Sequence, residues 1–230
     1  MRIVEPHIEV EDFNGVEIMK KIERACRTCY RSEGKITKDS YKKLLTNCIN
    51  RGHESVLEHE KVTVRILGDI SFYKDITRHR HASFSIESSR YCCYDKDKFG
   101  NEITFINPPY FRNEATGTID LLKKKDLWKE CMENIEKTYM EMRKMGCPPD
   151  ECRMILPHST AAEITMTANI REWKHIFELR CSNRAHPSVQ QIMIPLLLYF
   201  KEQMPEIFES VEYNKKFPQD KYAKLTVEGE

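Results

Sequence analysis

Polar and apolar positions change period several times along this chain. Residues 2 to 10 alternate, which predicts a first strand. Val16, Met19, Ile22, Cys26 and Cys29 recur at helical spacing and predict a helix over about 14–30. A second helix is predicted from Asp39 as N-cap, through Tyr41, Leu44, Leu45 and Cys48, to Gly52. Val62 to Leu67 alternates as a strand, and Ile70, Tyr73 and Ile76 predict a short helix that delivers Arg78 and His79 from its C-terminal end. Residues 78 to 90 follow as a less regular segment. Glu102 to Asn107 predicts another strand, stopped by Pro108 and Pro109. The clearest helix runs from about 117 to 145, with Trp128, Cys131, Met132, Ile135, Tyr139 and Met142 facing inward and Gly146 and Pro148 ending it. Pro149 and Asp150 open a short helix carrying Arg153. Ala162 to Ala168 alternates again, and Asn169 caps a helix with Ile170, Trp173, Ile176 and Phe177 inward. Pro187 opens the last long helix, which Pro195 is expected to kink.

Strands and helices mix without regular βαβ alternation, so the fold class is α+β, with helices around a central, mostly antiparallel sheet. One catalytic domain is expected over 1–218, with a polar C-terminal tail over 219–230 that frays. Hydrophobic residues make up 40% and charged residues 32%, as in a globular chain rather than a disordered one. The formal net charge is +1, so nothing global favours nucleic acid or acidic membranes, and any anion site has to be local. The longest apolar run, Ile192 to Phe200, is too short to span a bilayer, and the N-terminus lacks the apolar core of a signal peptide. Nine cysteines, an odd number without an export signal, suggest reduced thiols and a cytoplasmic protein.

The segment from Arg78 to Arg90 concentrates planar cations and hydroxyls, a composition suited to an oxyanion and most simply a phosphate. Arg78, His79 and Arg80 are consecutive and would splay around a helix. Either the chain is extended there or the cations serve two ligands, possible across a subunit interface. Ser88 and Arg90 can aim at one phosphate from the same side of an extended chain. A solvated basic turn is the plainer alternative. A second polar cluster, Gly52 to His59, reads as a helix end with His and Glu capping groups. It lacks the helical His pairing of a zinc protease, and no metal is expected. Asn169, Arg171, His175 and Arg180 form a third cluster that, taken alone, is an ordinary amphipathic helix. Neither standard Gly-rich phosphate cradle nor a Gly-x-Ser-x-Gly elbow is present.

Arg78-His-Arg, Ser83, Ser88 and Arg90, at their spacing, resemble the signature of the flavin-dependent thymidylate synthases. The Gly52-His-Glu-Ser-Val-Leu-Glu-His59 segment, Arg153 to Pro157, Asn169-Ile-Arg171, and Arg180 followed by Ala185-His186 are similar to further family stretches in the same order. The resemblance implies methylation of dUMP to dTMP, with 5,10-methylenetetrahydrofolate as carbon donor and NADPH supplying reducing equivalents through FAD. It implies a homotetramer whose active sites combine several subunits, and no covalent enzyme nucleophile. Arg78, His79 and Arg80, with Ser55 and Glu58 of another subunit, would hold the FAD, approached also by Asn169, Arg171 and His175. Ser88, Ser89 and Arg90 would bind the dUMP phosphate, with Arg153 from a partner chain. Arg180 would sit at the uracil as the catalytic residue. Asp75 stands where many members carry Gln; near a phosphate it would repel, so it is expected either to turn away or to contact ribose or base. Glu87 lies one position from the usual family carboxylate and is expected at the nucleotide. Two other readings remain: a flavoprotein of this fold acting on another pyrimidine nucleotide, or a nucleotide- or RNA-binding module stacking bases on Phe84, Tyr91 and Tyr94.

Overall fold

Pro6 decides how the chain begins. The computed structural model describes residues 1–11, 13–111 and 119–228. The first alternating run is split at Glu5 and Pro6 into β1 (Arg2–Val4) and β2 (His7–Glu11), because proline has no N–H to continue a ladder. Helix α1 (Gly15–Thr28) follows, with the Asn14 side chain accepting from the Glu17 N–H at 3.1 Å. Asp39 precedes α2 (Ser40–Asn50) but makes no side-chain cap. Ser40 acts there instead: its hydroxyl accepts from the Thr37 N–H at 2.8 Å and donates to the buried Glu23 at 2.6 Å. Then come β3 (Lys61–Asp69), α3 (Ile70–Ile76), β4 (Ala82–Ile86) and β5 (Thr104–Ile106). Helix α4 is described over Ile119–Lys144; the start predicted near 117 lies outside the described residues. The rest is α5 (Pro149–Cys152), β6 (Ala161–Asn169), α6 (Ile170–Arg180), α7 (Pro187–Gln203), α8 (Pro205–Phe208) and β7 (Lys224–Val227).

Five strands form one sheet in the order β4-β6-β3-β2-β7, and β1 pairs with β5 in a separate ladder. β4–β6, β6–β3 and β3–β2 are antiparallel, whereas β2–β7 and β1–β5 are parallel. The sheet is therefore mixed, which corrects the expectation of a mostly antiparallel one. The approach to its parallel edge is anchored on α7. Pro195 cannot donate to the carbonyl of Gln191, and the Ala223 N–H takes that carbonyl at 2.8 Å. Ala223 leads directly into β7, so the segment expected to fray is instead pinned to the helix and laid along β2. A second correction concerns the motif segment: residues 82–86, expected to be irregular, form edge strand β4.

One face of the sheet is apolar and covered. Val62, Val64, Ile66, Ile164 and Met166 are buried beneath Trp173, Phe177, Leu196 and Phe200. Trp173 stacks on Phe177 at 5.5 Å and donates its indole N–H to the Val62 carbonyl at 3.1 Å, which ties α6 to β3. The other face carries Thr63, Arg65, Ser83, Ser85, Thr165 and Thr167, all partly or fully exposed. A smaller apolar cluster under α4 contains Phe105, Met132 and Tyr139. Cys131, expected on that stripe, is exposed: it sits about 100° around the helix from its buried neighbour Met132. Among the described residues no helix is long and apolar enough to cross a membrane.

Candidate active site

The start of α6 forms one wall of a groove. The Asn169 side chain accepts from the Glu172 N–H at 2.8 Å, so the helix begins where β6 ends. Opposite it stands the short 3-10 turn Ser55–His59. Glu58 of that turn pairs with Arg171 at 2.5 Å, and Glu54 just before it accepts from Lys174. With His81, Asn169, His175 and Glu178 these side chains line a cavity of about 570 Å³. An adjoining cavity of about 590 Å³ shares Glu58, His81 and Asn169 and adds Lys21, Arg80 and Ser83. Of the residues expected at FAD, Glu58, Arg80, Asn169, Arg171 and His175 thus line two adjoining cavities on a single chain. Glu58 does so beside Arg171 of its own chain, although the resemblance assigns it to another subunit. Ser55 and Arg78 are exposed and are not among the lining residues.

His79 goes elsewhere. Its ring is 6% exposed and turned inward between Arg180 and Glu172. Arg180 donates through Nε to His79 Nε2 at 2.9 Å and through Nη2 to the Asp75 carbonyl at 2.8 Å. His79 Nδ1 lies 3.3 Å from the Glu172 carboxylate. Burial, then the charges of Arg180 and His175, push the imidazole down to about 4. Burial also lowers Arg180, with Asp75 opposing and Arg78 adding to the shift. Arg180 and Asp75, expected at the nucleotide base, are therefore joined through main chain at the end of α3.

The phosphate residues lie at the other end of β4. Ser88 to Arg90 are not extended, which corrects that expectation. The Glu87 N–H ends the ladder on the Glu163 carbonyl at 2.8 Å, and the N–H groups of Tyr91 and Cys92 turn back to the Ser88 carbonyl at 3.0 and 2.9 Å. Ser88 and Ser89 are half-buried at this turn; Arg90 is exposed, its guanidinium 5.4 Å from the Tyr91 ring centre. The Glu87 carboxylate folds back to within 3.4 Å of the Glu163 N–H. Arg153 is exposed at the start of a 3-10 turn, and its charge reaches the Tyr73 hydroxyl of α3. From His81 to Glu87 the chain covers roughly 20 Å, at about 3.3 Å per residue. The groove residues and the phosphate residues therefore stand at opposite ends of β4 within one chain.

Cys92 is the thiol beside this turn. Burial and Glu87 both push its pKa up, opposite to what an activated nucleophile needs. Glu172 was not singled out from sequence. Its place three residues after Asn169 fits a capping box, but nothing local announces its contact with His79.

The chain matches the model of the thymidylate synthase complementing protein family over residues 16–206. It is 33% identical over 164 residues to a flavin-dependent thymidylate synthase of Pyrococcus abyssi, covering 71% of this chain and 64% of that one. A protein of the same name from Halobacterium salinarum is 26% identical over 205 residues, with 83% of each chain covered. Among solved structures, the UMP/dUMP methylase PolB from Streptomyces cacaoi, bound with 5-Br dUMP, superposes with a TM-score of 0.75. It is 19% identical, covers 91% of this chain and 96% of its own, and shows the fold.

Proposed function

Because the chain belongs to the thymidylate synthase complementing protein family, we propose that it is a flavin-dependent thymidylate synthase that methylates dUMP to dTMP. One observation carries this reading. Glu58, Arg80, Asn169, Arg171 and His175 come from three separate stretches of the chain and line two adjoining cavities. Arg80 and Arg171 bring cationic donors and His175, Asn169 and Ser83 further polar groups, a set that fits the phosphates and ring edges of a dinucleotide. FAD held there would carry reducing equivalents from NADPH. Glu58 already neutralises Arg171, so an arriving phosphate competes with that carboxylate.

The reaction replaces hydrogen at C5 of the uracil by a methyl group. The methylene of 5,10-methylenetetrahydrofolate supplies the carbon and must gain a hydride, while C5 loses a proton. Arg180 uses its Nε and Nη2 edge on His79 and Asp75, which leaves Nη1 for a ligand. Directed at the base, that edge stabilises negative charge as N3 ionises and so raises the nucleophilicity of C5. Ser88, Ser89 and Arg90 hold the phosphate through hydroxyls and a guanidinium fork, with Arg153 contributed by a neighbouring copy.

A homotetramer follows from the same reading. The span along β4 favours a phosphate half from one chain and an Arg180 half from another. Both the edge position of β4 and the exposed polar sheet face leave room for a second copy. The free cysteines among the described residues suit a reducing, cytoplasmic setting.

Absorbance of the purified protein tests the cofactor and the substrate together. Flavin bands are expected, before or after incubation with FAD, and they are expected to shift when dUMP is added. A protein that takes up no flavin contradicts this function. One that binds flavin and ignores dUMP is a flavoprotein with another substrate.

A further inference from the structure

His79 sits inside the most recognisable motif of the chain, yet it is buried and lines neither groove cavity; Glu172 and His175 stand between it and the first of them. Both ring nitrogens are engaged within the chain. Arg180 cannot surrender the Nε proton it donates, so His79 Nε2 must present a lone pair. The ring proton therefore sits on Nδ1, which faces Glu172. Glu172 is itself 8% exposed and held by the capped first turn of α6. Glu172 and Arg180 share that helix but lie about 12 Å apart along its axis, at 1.5 Å per residue. The imidazole bridges them because the Arg180 side chain points back toward the start of the helix.

We propose that Glu172 and His79 form a positioning relay that locks the Arg180 guanidinium in tautomer-specific fashion, leaving its Nη1 edge aimed at the nucleotide base. The assignment rests on the synthase reading and gives His79 a task distinct from holding cofactor. The two contacts differ in kind: Nε2 accepts from Arg180 at 2.9 Å, and the Nδ1–H faces the Glu172 carboxylate at 3.3 Å. A second proton on the ring would set N–H against N–H and release the guanidinium. The charged and titratable groups beside this ring are Glu172, His175 and Arg180 on α6, while Arg78 and Asp75 act on Arg180 itself. Burial and the nearby cations keep the imidazole neutral well below physiological pH.

The test is a double-mutant cycle read by calorimetric titration of the FAD-loaded enzyme with dUMP. His79→Leu removes both links and is expected to weaken dUMP binding about tenfold, the loss of one hydrogen bond to a charged group. In an Arg180→Ala background the same change is expected to cost less than about twofold, because the group it positions is gone. His79→Gln, whose amide can both accept and donate, is expected to recover to within about threefold of the unaltered enzyme. His79→Asn, too short to span both partners, is expected to behave as His79→Leu and replaces it should the leucine variant fail to fold. Equal losses in both backgrounds, or a glutamine variant no better than leucine, overturn the relay and leave the synthase reading standing. No dUMP binding by the unaltered enzyme overturns the synthase reading and the relay with it.

Discussion

An Arg180→Ala variant is expected to form dTMP about 10²- to 10³-fold more slowly in single turnovers, the usual effect of deleting one donor that stabilises developing charge. FAD content and thermal stability are expected to stay close to those of the unaltered enzyme. Arg180 is only half-buried, and the cavities lined by Arg80, Arg171 and His175 do not include it. Arg180→Lys is expected to be nearly as slow. An ammonium keeps the charge but cannot bond His79, the Asp75 carbonyl and a base with one planar fork. Rapid-quench measurement of dTMP checks both. A rate above about a tenth of the unaltered enzyme's would remove Arg180 from the chemistry.

Arg90→Ala is expected to be as inactive as Arg180→Ala at ordinary dUMP concentrations, through loss of the phosphate fork. Co-expression of the two inactive chains is then expected to restore about a quarter of the sites, because random assortment pairs an intact Arg90 half with an intact Arg180 half in one interface of four. This result depends on the geometry of β4. Arg180 is tied to His79 before the strand, and Ser88 to Arg90 turn away after it, so the two groups lie at opposite ends of β4 within one chain. Hybrids carrying two distinguishable affinity tags, assayed for dTMP, decide the matter. No recovery in verified hybrids would mean that each site is built within a single chain.

Elements with a strong local signal were legible before the structure. Asn169 caps α6 as its side chain predicts, and Ile170, Trp173, Ile176 and Phe177 are all buried, because a capped amphipathic helix carries its own pattern. β3 and β6 alternate clearly since one face is apolar and the other polar. Strand β4 was hidden by its brevity: Ala82, Phe84 and Ile86 alternate with serines over only five residues, just after a run of cations. β7 and the parallel edge were not legible locally, because the strand pairs with β2 far earlier in the chain and its approach is anchored on a carbonyl left open by a proline in a distant helix. The same holds for the site. The motif marked which residues matter, but the inward turn of His79 depends on Glu172 and Arg180, which only the tertiary fold brings to it. The turn at Ser88 likewise follows from where the β6 ladder ends.

The most direct measurement is a product assay. The purified protein is incubated anaerobically with dUMP, 5,10-methylenetetrahydrofolate and NADPH, with and without FAD, and the nucleotide is identified by mass spectrometry. The expected result is dTMP that requires all three substrates and the flavin, carrying the methylene carbon of a labelled folate. Unchanged dUMP from a folded, flavin-loaded protein would contradict the proposed function.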